Sequence, residues 1–279
     1  MAKTWLITGC SEGGLGAAIA RAVLESGDHV AVTARNIDKV QTIIKDFPDT
    51  ALAVDLDVTD HESIKKAVAV TKKQFETIDI LVNNAGYCYR ASVEESEEDE
   101  VRRMFDTNFF GLVNLTKEVL PIMRDQKSGM IINFSSAAAL HGSPASSFYA
   151  ATKAAVEIMS SGLQSEVEPL GIKVMVVEPG PFRTNFFGSS LKGAPMTISD
   201  YKNTAWPRYP ENAVNQADQP GDPAKAGKLL FDVVSSENPP FRLLLGKMVV
   251  DFALNEYNER IKELNQWKKL SVTADFDEK

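Results

Sequence analysis

Apolar residues fall along this chain in two alternating arrangements. Short apolar runs bounded by turn residues predict strands at Lys3 to Thr8, His29 to Ala34, Ala51 to Asp55, Ile78 to Val82, Met130 to Ser135, Ile172 to Val177 and Phe241 to Leu245. Between them the spacing lengthens to three or four residues and predicts helices. These run from the first glycine turn to about Ser26, from about Asp38, over Glu62 to Phe75, beyond the acidic run Glu94 to Glu100, from about Phe148 to Leu170, from Asp222, and over Val249 to Lys269. Asp222-Pro223 reads as a cap followed by proline in the first turn, and Gly171 as a helix stop. Strand and helix alternating in this way predict an α/β fold: a doubly wound, Rossmann-type parallel sheet covered on both faces.

No linker divides the chain, so residues 1–270 are expected to form a single domain. Two stretches stand apart. Residues 185–220 carry Phe186, Phe187, Met196, Trp206 and Tyr209 among Gly, Pro and Ser without periodicity, and a loop of that length predicts a mobile substrate lid. Residues 271–279 read as a polar tail, and Glu94 to Glu100 as a solvated helix start with acids at the positive end of its dipole.

Composition removes several classes of function. The net charge of −8, with no Lys/Arg cluster, argues against nucleic acid. No apolar run approaches the roughly 18 residues of a membrane span, and because MAKTWLITG runs straight into a strand no signal peptide is expected. Cys10 and Cys88 are too few for a disulfide framework or a zinc site, so no metal is expected and the setting is expected to be reducing and cytoplasmic.

The first strand runs into Gly9-Cys10-Ser11-Glu12-Gly13-Gly14-Leu15-Gly16 and then a helix. Strand, glycine turn and helix form a phosphate-binding unit, in which glycines admit the pyrophosphate and the helix start offers free N–H groups. At the end of the second strand an acid would favour NAD; Ala34 and Arg35 stand there instead, and a guanidinium beside the ribose favours the 2′-phosphate of NADP(H) over NAD(H). A solvated arginine at a strand end is the plainer alternative, and Glu12 weighs against the phosphate. Asp57, beside Val58, either accepts from an adenine amino group or caps the next helix. Asn83-Asn84-Ala85-Gly86 ends the fourth strand, where paired asparagines either clamp strands and reach a ribose or simply make a turn.

The stretch Asn133 to Val156 carries the candidate chemistry. Tyr149 and Lys153 lie four apart in an alanine-rich helical run, so they share a face. Ser136 closes the fifth strand. A hydroxyl to hold an oxygen, a phenol to protonate it and an ammonium to lower the phenol's pKa are what a carbonyl needs to accept hydride. Asn108, set among Phe105, Phe109 and Phe110, is either a kink holding a water on a proton path or a satisfied core amide. Phe186, Phe187, Trp206 and Tyr209 are candidates to enclose a substrate, and His141, Tyr87 and Tyr89 to line its mouth.

Taken together, these motifs resemble the single-domain short-chain dehydrogenase/reductase family over about residues 3–250. The resemblance implies Tyr149 as general acid/base, Ser136 on the substrate oxygen, Lys153 on the tyrosine and the nicotinamide ribose, and Asn108 behind a relay water. It implies that Gly9, Ser11, Gly14, Leu15 and Gly16 hold the phosphates and that Asp57, Val58, Asn84, Ala85 and Gly86 line the adenosine side. Pro179 and Gly180 lead to Phe182 and Thr184 at the nicotinamide carboxamide. One departure is an extra residue in the glycine loop, Cys10-Ser11-Glu12-Gly13, where three are usual. The resemblance further implies a small apolar ketone, aldehyde or secondary alcohol as substrate and a homodimer or homotetramer. The competing readings are a non-catalytic NADP(H)-sensing module and an epimerase or dehydratase; the intact Ser-Tyr-Lys set argues against the first, and the short C-terminal region against the second.

Overall fold

Neighbouring side chains on the central strands of this computed structural model enter different cores. The structure describes residues 2–188, 190–210 and 216–276. In β1 (Thr4–Ile7), Trp5 and Ile7 join one buried cluster and Leu6 the other. Val30 and Val32 are set against Ala31 in β2 (His29–Ala34), and Ile80 and Val82 against Leu81 in β4 (Ile80–Asn83). β6 (Gly129–Phe134) divides Ile132 from Ile131, and β7 (Ile172–Pro179) divides Met175 from Val174. Strands apolar on both faces need a cover on each side.

One cover is α1 (Leu15–Glu25), α2 (Gln41–Asp46) and α7 (Pro223–Val234), which supply Ile19, Val23, Ile43 and Leu230. α1 and α7 touch backbone to backbone at Gly227, where a Cβ would stand 2.6 Å from the Ala18 carbonyl oxygen. The other cover is α3 (His61–Phe75), α5 (Gly111–Gln126) and α6 (Ser147–Val167), with Ile64, Leu115, Val119 and Leu163. With β3 (Ala51–Asp55) and β9 (Arg242–Leu245), the sheet order is β3-β2-β1-β4-β6-β7-β9, every pair parallel. This is the expected Rossmann-type α/β architecture. The chain moves outward from β1 to β3 and then returns to β4, so the sheet's switch point lies between β1 and β4, where such folds open a crevice.

Predicted boundaries hold to within a residue or two at most strands. Asp222 caps α7, accepting from the N–H groups of Ala224 and Lys225. The helix expected from Asp38 is divided into a 3-10 turn, Ile37–Val40, and α2. The polar tail begins inside α8 (Lys247–Ser271), with a 3-10 turn at Val272–Ala274; residues 277–279 lie outside the described residues. Among the described residues no helix is long and apolar enough to cross a membrane.

The segment 185–220 holds more regular secondary structure than its composition predicted. Ser189 and residues 211–215 lie outside the described residues. The remainder holds 3-10 turns at Asn185–Phe187, Ser199–Tyr201, Trp206–Arg208 and Gln216–Asp218. It also holds β8 (Leu191–Gly193), which pairs in parallel with β5 (Cys88–Arg90) as a separate two-stranded sheet.

Glu95 anchors this segment and corrects the reading of Glu94 to Glu100 as wholly solvated. It is buried, and α4 (Glu98–Phe105) starts three residues later. Its carboxylate accepts from the N–H groups of Thr197 and Ile198 (2.8 Å each), the Tyr209 hydroxyl (2.8 Å), the Ser92 hydroxyl (2.7 Å) and the Trp206 indole (3.1 Å). Burial alone would raise its pKa, but hydrogen bonds from Ile198, Ser92, Tyr209 and Thr197 outweigh that and lower it to about 2.

Candidate active site

A cleft of about 980 Å³ opens above the carboxyl ends of β1 and β4. Small-molecule sites run from roughly 300 to 1,000 Å³, so this one suits a large ligand or two together. Of the catalytic and cofactor-binding residues singled out from the sequence, all but Gly16, Asn108 and Lys153 line it, and those three stand directly behind its wall.

At one end α1 begins without a side-chain cap, so its first N–H groups are free for an anion, and Gly14 and Leu15 face the cleft. Gly16 is fixed by packing: a Cβ there would lie 2.5 Å from the Gly9 carbonyl oxygen and 2.6 Å from Asn84 Nδ2. Asn84 Nδ2 donates to the carbonyls of Thr8 (2.9 Å) and Gly9 (3.2 Å), tying β4 to the glycine loop. The extra loop residue is absorbed in a turn closed by Gly14 N–H to the Ser11 carbonyl, with Gly13 at φ 78°. Asn185 covers that turn, donating its side-chain amide to the Glu12 carbonyl and its N–H to the Gly13 carbonyl. Arg35 and Lys39 line the same end together with Ser11 and Glu12. Lys39 escaped the sequence reading because nothing in the pattern placed the turn after Arg35 over the cleft.

Asp57 caps neither helix nor strand; it accepts from the N–H and hydroxyl of Thr59 (2.9 and 2.7 Å), while Asp60 caps α3. Val58 lies under Gly111, where a Cβ would stand 2.7 Å from the Val58 carbonyl oxygen. Asn83 does clamp strands: Nδ2 donates to Asn133 Oδ1 (2.9 Å) and to Thr116 Oγ1 (3.1 Å).

Asn108 sits in a π-helical segment, Asp106–Phe110, between α4 and α5. Such bulges mark functional sites more often than chance. Its side chain makes three hydrogen bonds: Oδ1 accepts from Tyr87 N–H (3.0 Å), and Nδ2 donates to the Tyr87 carbonyl (2.9 Å) and to Thr152 Oγ1 (3.2 Å). Gly86 leaves the room these groups need, since a Cβ there would meet Asn108 Oδ1 at 3.0 Å and Lys153 Nζ at 3.6 Å.

Ser136 follows the end of β6 by two residues and caps a 3-10 turn, its Oγ accepting from Ala138 N–H at 3.2 Å, which leaves its O–H to donate elsewhere. Ser135 instead turns inward, donating to the Lys153 carbonyl. Tyr149 and Lys153 face the same side of α6, with Lys153 Nζ 5.9 Å from the centre of the Tyr149 ring. That ammonium donates to the Phe134 carbonyl at 2.8 Å. Burial pushes the Tyr149 phenol well above its usual range, Cys88 adds to this, and the side chains of Ser136 and Arg90 work against it. The shift is upward, against the lowered phenol expected from the sequence. Burial brings Lys153 down to about 8.

Beyond Tyr149, Phe186 approaches with ring centres 6.0 Å apart, and Tyr87, Cys88, Arg90 and Lys192 line the wall. The other aromatic candidates are used differently. Tyr209 is fully buried on Glu95, Trp206 donates to Glu95, and Tyr89 packs inward with Met104. His141 stands outside the cleft, 3.2 Å from Glu256 of α8. The Phe187 side chain lies outside the described residues. At the corner after β7, Gly180 N–H donates to the Leu245 carbonyl, and Phe182 bridges to Gly221, which brings Phe182 and Thr184 to the cleft.

An uncapped helix start, a glycine loop with no room for side chains and a long cleft together fit a dinucleotide. Comparison with known proteins agrees. The family model described as short chain dehydrogenase matches residues 3–194. The oxidoreductase BOA17 of Botryotinia fuckeliana is 36% identical over 275 residues, covering 98% of this chain and all of that protein. A short-chain dehydrogenase structure from Streptomyces avermitilis superposes with a TM-score of 0.90 at 40% identity over 98% of both chains. A gluconate 5-dehydrogenase from Burkholderia cenocepacia, solved with NADP and tartrate, is 31% identical with a TM-score of 0.63, over 67% of this chain and 74% of that one.

Proposed function

The chain belongs to the short-chain dehydrogenase family of oxidoreductases, and from that premise we propose that it moves hydride between NADP(H) and an apolar ketone or aldehyde, or the matching secondary alcohol, with Tyr149 as general acid/base. The observation that carries this reading is one wall of one cleft: Ser136 and Tyr149 on its surface, with Lys153 immediately behind. The nicotinamide, when bound, supplies or accepts the hydride.

The chain's own residues do the rest. Tyr149, held protonated by burial, gives its proton to the carbonyl oxygen as the C=O bond is reduced, and takes it back in the reverse direction. Ser136 donates its free O–H to the same oxygen. Lys153, fixed on the Phe134 carbonyl, keeps two further N–H groups to hold the ribose and to offset charge on Tyr149. Gly14 and Leu15 at the start of α1 take the pyrophosphate, and Arg35 with Lys39 takes the 2′-phosphate. Asn108 holds the Tyr87 backbone and Thr152 in place beneath Lys153; Phe182, Thr184 and Phe186 close the nicotinamide end.

A reducing, cytoplasmic setting suits the two free, buried thiols Cys10 and Cys88. Self-association as a homodimer or homotetramer is supported by α8, where Val250, Leu254, Tyr257, Ile261 and Leu264 form an exposed stripe at alternating spacings of four and three. Incubation with NADPH and a panel of ketones and aldehydes, followed at the nicotinamide absorbance, tests the reading. Loss of absorbance supports it; cofactor binding without consumption across the panel favours a sensing module instead.

A further inference from the structure

The two-stranded sheet β5–β8 sets a cation beside the reacting end of the cleft. Alternate residues of a strand share a face, so Cys88 and Arg90 point one way and Tyr89 the other. Cys88 and Arg90 line the cleft, whereas Tyr89 is buried against Met104. The nearby cations Arg103 and Lys192 both pair with Glu100, at 2.8 and 3.5 Å. Arg90 pairs with no carboxylate among the described residues. One of its terminal N–H groups donates to the Arg208 carbonyl, the side chain also meets the Cys88 thiol, and its Nε is buried with no hydrogen-bond partner among the described residues.

A buried N–H left without an acceptor is unfavourable by about 1–3 kcal/mol, so the placing of this guanidinium on the cleft wall calls for an explanation. A guanidinium presents its N–H groups as a planar fork, the shape that two carboxylate oxygens accept. Arg90 is also close enough to the Tyr149 phenol for its charge to favour the ionised ring. An anion held there would share the cleft with Tyr149.

We propose that the physiological substrate is an oxo-acid, with an apolar body against Phe186 and Tyr87 and a carboxylate received by Arg90. This rests on the cleft being the hydride-transfer site proposed above, but it is decided by binding and needs no turnover. The probes are 4-phenylbutanoate and its methyl ester, titrated by calorimetry into the enzyme saturated with NADP. Wild-type protein binds the acid at least tenfold more tightly than the ester. Arg90→Met removes that difference and Arg90→Lys restores part of it, with NADP affinity and melting temperature reporting that both variants are folded. Equal affinity for acid and ester in the wild type, or no measurable binding of the acid, overturns the proposal. So does an Arg90→Met variant that weakens both probes alike, because Arg90 would then serve only to strap the 206–208 turn. Turnover of 4-oxo-4-phenylbutanoate and its ester with NADPH, run in parallel, reports on the hydride-transfer reading itself: consumption of neither counts against that reading, whatever the binding ratio.

Discussion

Lys153 sits 5.9 Å from the centre of the Tyr149 ring, yet its ammonium is bonded to the Phe134 carbonyl, not to the phenol. The ammonium thus engages the end of β6 and leaves the phenol oxygen without a bond from it. Burial lowers its pKa to about 8, so the ammonium is complete below that pH and is lost as pH rises through it. The neutral amine keeps two N–H groups, so what is lost as pH rises is the third donor and the positive charge. NADPH affinity is therefore expected to weaken several-fold between pH 7 and 9. Fluorescence titrations across this range check it, and Lys153→Met should bind weakly with no such dependence.

Tyr149 is expected to be neutral at pH 7, since burial raises its pKa. Reduction, which needs the proton on the phenol, should be nearly flat between pH 6 and 7.5, while alcohol oxidation should rise with pH. Tyr149→Phe keeps the ring packed near Phe186 and removes only the proton donor. Turnover should fall by about 10²–10⁴-fold, with NADPH binding unchanged. Initial rates and cofactor titrations on the same preparation separate the two effects.

Arg35 lines the phosphate end of the cleft with Lys39. If they hold a 2′-phosphate, Arg35→Ala should raise the Kd for NADPH by roughly 10–100-fold, matching about 1.5–3 kcal/mol for a charged hydrogen bond, and leave NADH almost unchanged. Adding Lys39→Ala should deepen the NADPH loss. Equal losses for both cofactors would remove the 2′-phosphate from the argument.

What could be read in the chain before its fold was known depended on range. Gly14, Leu15, Asn84, Ser136 and Tyr149 lie at strand ends or on helix turns, so local pattern placed them and the structure gathers them at one cleft. Glu95 sits in an acidic run like any solvated helix start; only packing of residues about a hundred positions later makes it a buried hub. The same holds for Arg90, whose strand is three residues long and exists only because Leu191–Gly193 runs beside it. The direction of the Tyr149 shift was missed for another reason. Spacing on a helix shows that a lysine is near, but not that its proton is already engaged elsewhere or how dry the site is.

Glu95→Ala should release the 194–209 segment without unfolding the sheet. The change strips acceptors from the Thr197 and Ile198 N–H groups, the Trp206 indole and the Tyr209 hydroxyl. Each buried group left unpaired destabilises by about 1–3 kcal/mol, and the loss falls on a segment that packs beside the cleft and not on its cofactor end. The expected result is faster proteolysis within 194–209, an altered Trp206 emission and a higher KM for the carbonyl substrate, with NADPH affinity retained. The lowered pKa of Glu95 means this tie is present at all pH values above about 4.5 and is lost only as pH falls towards 2.

Glu178 gives the opposite pH sign. It is fully buried near the end of β7, and no N–H or O–H donor is bonded to either carboxylate oxygen among the described residues. Burial and the neighbouring Glu157 raise its pKa to about 7, although Arg242, 3.8 Å away, works against them. The folded protein thus keeps a proton that the unfolded chain has released between about pH 4.5 and 7, so stability falls as pH rises through that window. Glu178→Gln cannot ionise, and the 3.2 Å Arg242–Glu157 bond survives it. The variant should match wild type near pH 5 and exceed it by about 1–3 kcal/mol, or several degrees in Tm, at pH 8. Thermal melts at the two pH values check this. A variant less stable than wild type at pH 8 would mean that Glu178 is ionised there and that its pairing with Arg242 outweighs the loss of solvent.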